Sequence, residues 1–222
     1  RLRETVGEHP ANRGRGMATG KCLSLSSPAA ERTMLTDLGC AMDLPPESLF
    51  RETLGGADLF HLTGYLFTGG PIAAVADEAL AIARESGTRI SFDLADPWVI
   101  EAHRERLEAV AALADVLFLN DAEASIWTGT SNPHAAAEAL ASRPGLTVVK
   151  MGAQGSLIVG DGQTWEVAAE TVEALDTTGA GDAYAGGFLF GLARGFDPGH
   201  AGRIASRIGA ATVARIGGVL QD

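Results

Sequence analysis

The chain reads as an α/β protein with a mainly parallel sheet and helices on both faces. Two patterns predict this. Short apolar runs of strand length, several ending at a polar residue or glycine, alternate with longer stretches whose apolar residues recur at helical spacing. Hydrophobic residues make up 46% of the 222 positions, charged residues 20%, and 28 are glycine. That is the balance of a soluble globular domain with a sizeable core.

The elements follow in order. Residues 1–20 are polar and rich in arginine and glycine, and read as a short helix followed by a mobile loop. Residues 21–39 alternate weakly about Ser26-Ser27-Pro28, the mark of a hairpin. Residues 57–62 form an apolar strand ending at Thr63-Gly64. Residues 72–85 carry helical periodicity, and Gly87 stops them. A strand over 89–94, a helix over 99–113 and a strand over 115–119 leading into Asn120 come next. A short helix spans 135–140 and a strand 146–151. Segments 156–159 and 165–167 form a hairpin about Asp161-Gly162. Two helices close the chain, over 181–192 and 200–216. No internal repeat, low-complexity tract or second domain boundary is visible.

Composition narrows the function classes. A formal net charge of -11 argues against a nucleic-acid partner, which needs a basic face. It leaves room for a small phosphorylated ligand, which needs only local positive potential. No apolar run reaches the length of a membrane span. Cys22 and Cys40 make no disulfide framework and are expected as free thiols, packed as small hydrophobes in a reducing cytoplasm. The five histidines show no metal spacing, so they read as structural or surface residues. No Gly-x-Ser-x-Gly elbow supports an acyl-transfer hydrolase. Gly20-Lys21 fails as a P-loop, because Arg15 stands at the required first glycine and Cys22 replaces the magnesium-binding hydroxyl.

The centre of the chain is Asp176-Thr177-Thr178-Gly179-Ala180-Gly181-Asp182, running on through Ala183-Tyr184-Ala185-Gly186-Gly187-Phe188-Leu189. It reads as a loop that becomes a helix at the glycines. Thr177 or Thr178 would cap the new helix. The free N–H groups of its first turn, with the positive end of its dipole, make an anion site. Asp182 in that turn suits the role of a base taking a proton from a hydroxyl that attacks a phosphoryl group. A plain capped helix start is the other reading of the Gly-x-Gly fragment alone.

Three further segments belong at the carboxyl edge of the sheet, where ligands bind in such folds. In Asn120-Asp121-Ala122-Glu123, the spacing fits either a capping box or a polar contribution to a ligand site. In Lys150-Met151-Gly152-Ala153-Gln154-Gly155, a strand ends at a Gly-x-x-Gly turn, and Lys150 lies either near phosphate or in solvent. Asp93-Leu94-Ala95-Asp96-Pro97-Trp98 follows another strand. Asp96 before Pro97 starts the next helix, and no residue here is assigned to catalysis.

The Asp176–Leu189 stretch resembles, position by position, the C-terminal signature of the ribokinase-like, or PfkB-type, carbohydrate and nucleoside kinases. The resemblance covers nearly all of residues 20–218, and implies a three-layer α/β/α kinase core over 21–222. It implies transfer of a phosphoryl group from ATP to a sugar or nucleoside hydroxyl. Asp182 would be the base, and Gly179, Ala180 and Gly181 the anion hole. Asn120, Glu123, Lys150, Gly152, Gly155 and Ser206 would contact nucleotide, with Ser206 at the adenine edge. Glu123 would order waters around Mg2+. Asp176 and the Thr178 carbonyl, with carbonyls near 212–217, would hold a monovalent cation such as K+. The segment Asp96-Pro97-Trp98 and the triad Ala122-Glu123-Ala124 lean towards the adenosine-kinase-like or sugar-kinase-like branch. The family's early Asp and Gly-Gly-x-x-x-Asn segment, which hold the acceptor, have no counterpart here, so the lid is expected to be incomplete. A homodimer formed through the lid is common in that family. A kinase that binds nucleotide without turnover is the alternative. A dinucleotide-dependent oxidoreductase fits less well, because Tyr184 stands at its third glycine.

Overall fold

The computed structural model describes residues 18–26, 32–44, 46, 49 and 51–217. The expected polar segment before residue 18 and the Ser27-Pro28 tip of the first hairpin lie outside them. Eight strands and seven helices are described. The strands are β1 (Thr19–Ser26), β2 (Arg32–Gly39), β3 (Leu59–Thr63), β4 (Arg89–Asp93), β5 (Val116–Asn120), β6 (Leu146–Lys150), β7 (Ser156–Gly160) and β8 (Gln163–Val167). The helices are α1 (Arg51–Gly55), α2 (Pro71–Ser86), α3 (Pro97–Ala111), α4 (Asp121–Thr128), α5 (Pro133–Leu140), α6 (Ala180–Ala193) and α7 (Pro198–Val213).

Strands β3 to β8 form one sheet in sequential order. Strands β3 to β6 pair in parallel, and the β6–β7 and β7–β8 pairs are antiparallel. Strand alternation sends successive side chains to opposite faces. Leu62, Phe92, Leu117, Leu119, Val149 and Leu157 meet the buried residues of α2, α3, α4 and α5 on one face. Val116, Phe118, Val148 and Ile158 meet Tyr184, Ala185 and Phe188 of α6, and Ala201 and Ala205 of α7, on the other. The three-layer expectation is met.

Local chemistry sets the helix ends. Pro71 opens α2, and Gly87 closes it in the left-handed region at φ 71°. The Asp96 carboxylate caps α3, accepting from the Trp98 amide at 2.7 Å. Asn132 caps α5, accepting from the amides of His134 and Ala135. The helix α4, unassigned as an element in the sequence, follows directly from the Asn120 cap. Asp161 and Gly162 both take positive φ, 51° and 73°, so the β7–β8 hairpin turns as expected of that pair.

Helix α6 lies close along α7. A β-carbon on Gly191 would stand 2.8 Å from the Cα of Ala201. One on Gly187 would stand 3.0 Å from the Cα of Ala205. Small residues therefore let the two backbones approach, and α6 is drawn down onto the sheet.

The β1–β2 hairpin stands apart as a two-stranded ribbon. Leu23 and Leu35 face each other across it and are 57% and 58% exposed. Cys22 is likewise exposed rather than packed, with Sγ 3.3 Å from the Thr36 hydroxyl. The expected burial of this thiol fails because a ribbon of two strands has no second layer to cover it here. Cys40 is half-buried. Among the described residues, no helix is long and apolar enough to cross a membrane.

Candidate active site

The N-terminus of α6 meets the carboxyl edges of β4, β5 and β6 beside a cavity of about 680 Å³. Asn120, Lys150, Gly152, Gly155, Ala180, Gly181 and Ser206 all line it. Residues from four segments, chosen from the sequence as nucleotide contacts or as the anion hole, are thus brought to one cleft. Its far wall is small and apolar, with Val172, Ala174, Gly209, Ala210 and Val213.

The start of α6 differs from the expected cap. Gly179 is the cap residue, at φ 71°, and no side chain caps the helix. The Thr178 hydroxyl donates instead to Asp176 Oδ1 at 2.6 Å, alongside the Thr178 amide at 2.9 Å. The Asp176 carboxylate lies two residues upstream and draws the hydroxyl back into the loop. The Ala180 amide donates to the Thr177 carbonyl at 3.3 Å. This leaves the amides of Gly181 and Asp182 at the helix mouth with no capping side chain, where the dipole favours an anion. Asp182 is exposed in this first turn.

Lys150 is not a solvated lysine. Its ammonium pairs with Asp93 Oδ2 at 2.6 Å, and the two side chains are 14% and 8% exposed. It lies 5.8 Å from the centre of the Phe118 ring. A β-carbon on Gly181 would stand 3.4 Å from Nζ. The ammonium therefore faces the same point as the free turn of α6. Asp93, given no role from the sequence, also accepts from the Ala95 amide at 3.0 Å.

Asn120 and Glu123 form the capping box of α4. Asn120 Oδ1 accepts from the Glu123 amide at 2.8 Å, and Glu123 Oε2 accepts from the Asn120 amide at 2.8 Å. Asn120 Nδ2 donates to Glu123 Oε1 at 2.6 Å. Glu123 is 2% exposed. Burial, reinforced by the Asp93 charge, pushes its carboxyl up to about 7, against the opposing pull of Lys150 and the Asn120 amide. Capping and a ligand role are compatible here. A buried carboxyl beside a second carboxylate holds its charge poorly alone, and a nearby hydrated cation would favour the ionised form. Among the described residues, no group of three or more His, Cys, Asp or Glu could hold a metal directly.

His61 on β3 belongs to this neighbourhood, although its sequence position suggested only a structural residue. Its Nδ1 lies 2.8 Å from the Ser91 hydroxyl, and its ring meets Phe118 edge-on. Burial lowers its pKa, and the charges of Asp93 and Asp182 oppose that shift. Tyr65, just beyond β3, reaches towards Asp96, and its phenol is pushed up to about 12 by burial and by that carboxylate. The signal that could have found His61 and Asp93 is register: His61 pairs with Ser91, and Asp93 with Phe118.

The 174–178 loop is fastened to the end of α7. The amides of Leu175 and Asp176 both donate to the Val213 carbonyl, and the Gly217 amide donates to Asp176 Oδ2 at 3.0 Å. The two segments expected to share a cation are therefore adjacent. Ser206 on α7 donates to the Ala168 carbonyl at 3.0 Å, at the other end of the same cleft wall.

The pfkB family carbohydrate kinase profile matches residues 5–221. The chain belongs to the pfkB family. The match starts earlier than residue 20, where the resemblance was expected to begin. The chain is 28% identical over 180 residues to 5-dehydro-2-deoxygluconokinase of Shouchella clausii, covering 78% of this chain and 55% of that one. It is 28% identical over 196 residues to adenosine kinase of Saccharomyces cerevisiae, covering 82% and 57%. The crystal structure of adenosine kinase from Sinorhizobium meliloti superposes with a TM-score of 0.85 at 28% identity, over 90% of this chain and 62% of that chain. The fold of this pfkB-family chain is ribokinase-like, and it spans a little over half the length of these relatives.

Proposed function

We propose that this part of the protein binds ATP and performs phosphoryl transfer to a hydroxyl of a sugar or nucleoside. The observation that carries the reading is the junction of Lys150 and the uncapped Gly181 turn on the wall of a nucleotide-sized cleft, with the exposed Asp182 carboxylate one residue further along α6. The family supplies the reaction class.

In this reading the triphosphate tail lies against the first turn of α6. The Gly181 amide and the Lys150 ammonium neutralise charge on the transferring group. One such donor is typically worth about 2.7–4 kcal/mol. Asp182 takes the proton from the acceptor hydroxyl as its oxygen bonds to the γ-phosphorus, while the bond to the bridging oxygen breaks and ADP leaves. Glu123 and Asn120 would hold waters of a magnesium ion, which would supply charge neutralisation at the phosphates. Gly152 leaves the turn after β6 open, with nothing within 4 Å of an added β-carbon, while Gly155 lets the Val167 carbonyl approach that turn. Ser206 and the small residues of α7 would receive the base. Asp176, with the Thr178 carbonyl and the 212–217 segment, would seat a monovalent cation beside the anion hole. The uncovered leucines of the β1–β2 hairpin support a homodimer through that ribbon, and the two free thiols suit a reducing cytoplasm.

Calorimetry with ATP in magnesium and potassium tests the first half of this reading. ADP release against a panel of sugars and nucleosides tests the second. Binding with turnover on one acceptor is the expected result. Binding without turnover on any acceptor would favour a nucleotide-binding module, and absence of ATP binding would overturn the reading.

A further inference from the structure

Tyr184 sits one turn into α6, and its hydroxyl meets the Ser156 hydroxyl at 2.6 Å in the buried interior. Tyr184 is 9% exposed and Ser156 1%. Tyr184 lies on α6, which carries the Gly181 amide, and Ser156 lies on β7, the strand beside the one that carries Lys150. Tyr184 is three positions beyond Gly181 on the same helix, so the two lie on one side of it. Ser156 is the direct cross-strand partner of Lys150 in the β6–β7 pair, so both side chains leave the same face of the sheet. The Tyr184 ring lines the cleft, while its hydroxyl is directed to the sheet beneath.

A phenol is long and rigid, with two side-chain torsions, so a short hydrogen bond at its tip fixes the height of the helix above the strand. Packing of the ring in the apolar core alone would not, because phenylalanine fits the same space. We infer that the Tyr184–Ser156 hydrogen bond is a positioning strut, which sets the gap between the Gly181 amide and the Lys150 ammonium and thereby the affinity for a phosphate chain. The inference rests on the assignment of that gap to phosphate in the proposed function. Burial pushes the phenol up to about 12, so the strut holds across the working pH range.

The test uses Tyr184→Phe, Ser156→Ala and the double variant. ATP and AMP are compared by displacement of a fluorescent ATP analogue, so that both report on one site. AMP has the same base and sugar but lacks the two outer phosphates. Each single variant should weaken ATP about 5-fold or more while AMP stays within about 2-fold, because only the outer phosphates depend on the gap. Removing both hydroxyls leaves no buried group unpaired, so the double variant should regain thermal stability without regaining ATP affinity. That split separates positioning from simple stabilisation. Equal losses for ATP and AMP, no loss for either, or recovery of ATP affinity along with stability in the double variant would each overturn the strut. Wild-type protein that binds ATP no more tightly than AMP would overturn the phosphate assignment itself, and the strut with it.

Discussion

The Lys150 ammonium lies 2.6 Å from Asp93 Oδ2, joining the ends of two strands separated by β5. Asp93 is buried and Lys150 mostly so, and neither is easily left alone. Removing one partner of a buried pair typically costs about 3–5 kcal/mol, most of it the uncompensated charge that remains. Asp93→Asn should therefore lower the free energy of unfolding by roughly that amount in urea titration. The Asp93→Leu, Lys150→Met double variant should lose much less. Equal losses in the two would show that the pair is not what holds these strand ends.

Glu123 gives the protein a pH signature. Its carboxyl is raised to about 7, chiefly by burial. A carboxyl with a folded pKa above its unfolded value binds its proton more tightly in the folded chain. Its contribution is full below the ordinary value of 4.5 and is lost as pH rises through about 7. Between pH 5 and pH 8.5, wild-type protein should lose stability relative to Glu123→Gln by on the order of 3 kcal/mol. Parallel pH profiles for the two would place the charged form of Glu123 in a more favourable setting than its burial implies.

Asp182 is exposed at the mouth of α6, so its replacement should leave the fold intact. Asp182→Asn should keep ATP binding and lower turnover by roughly 10²–10⁴-fold. The measurement is ADP release on whichever acceptor proves active. Retained turnover would remove Asp182 from the role of base.

Gly191 marks the closest approach of α6 to α7. An added methyl would meet both the Cα and the Cβ of Ala201 at 2.8 Å, with backbone rather than a flexible side chain in the way. Gly191→Ala should destabilise by about 1–3 kcal/mol, despite the better helix propensity of alanine. Thermal melting reads this directly. A stabilised variant would mean that the helices part without penalty.

Much of the fold was legible because its signals are local. Glycine at the end of α2 acts within one turn, and Asn120 and Glu123 lie three residues apart. The Asp161-Gly162 pair bends a hairpin by its own backbone preferences. The same locality misled in one place. Thr177 and Thr178 have the chemistry of caps, but Asp176 two residues earlier takes the Thr178 hydroxyl, and Gly179 becomes the cap.

What the sequence by itself determined was the alternation of strand and helix, the helix start at the glycines and the family to which these motifs belong. Tertiary structure alone decided which distant groups meet. Asp93 and Lys150 are 57 residues apart, Asp176 and Gly217 are 41, and Ser156 and Tyr184 are 28. No local pattern records such pairs. They follow from the strand register, which sets which side chains share a face, and from the tight seat of α6, which brings its first turn down onto Lys150. Burial then gives these meetings their energy, because a charge or hydroxyl removed from water must find its partner within the protein.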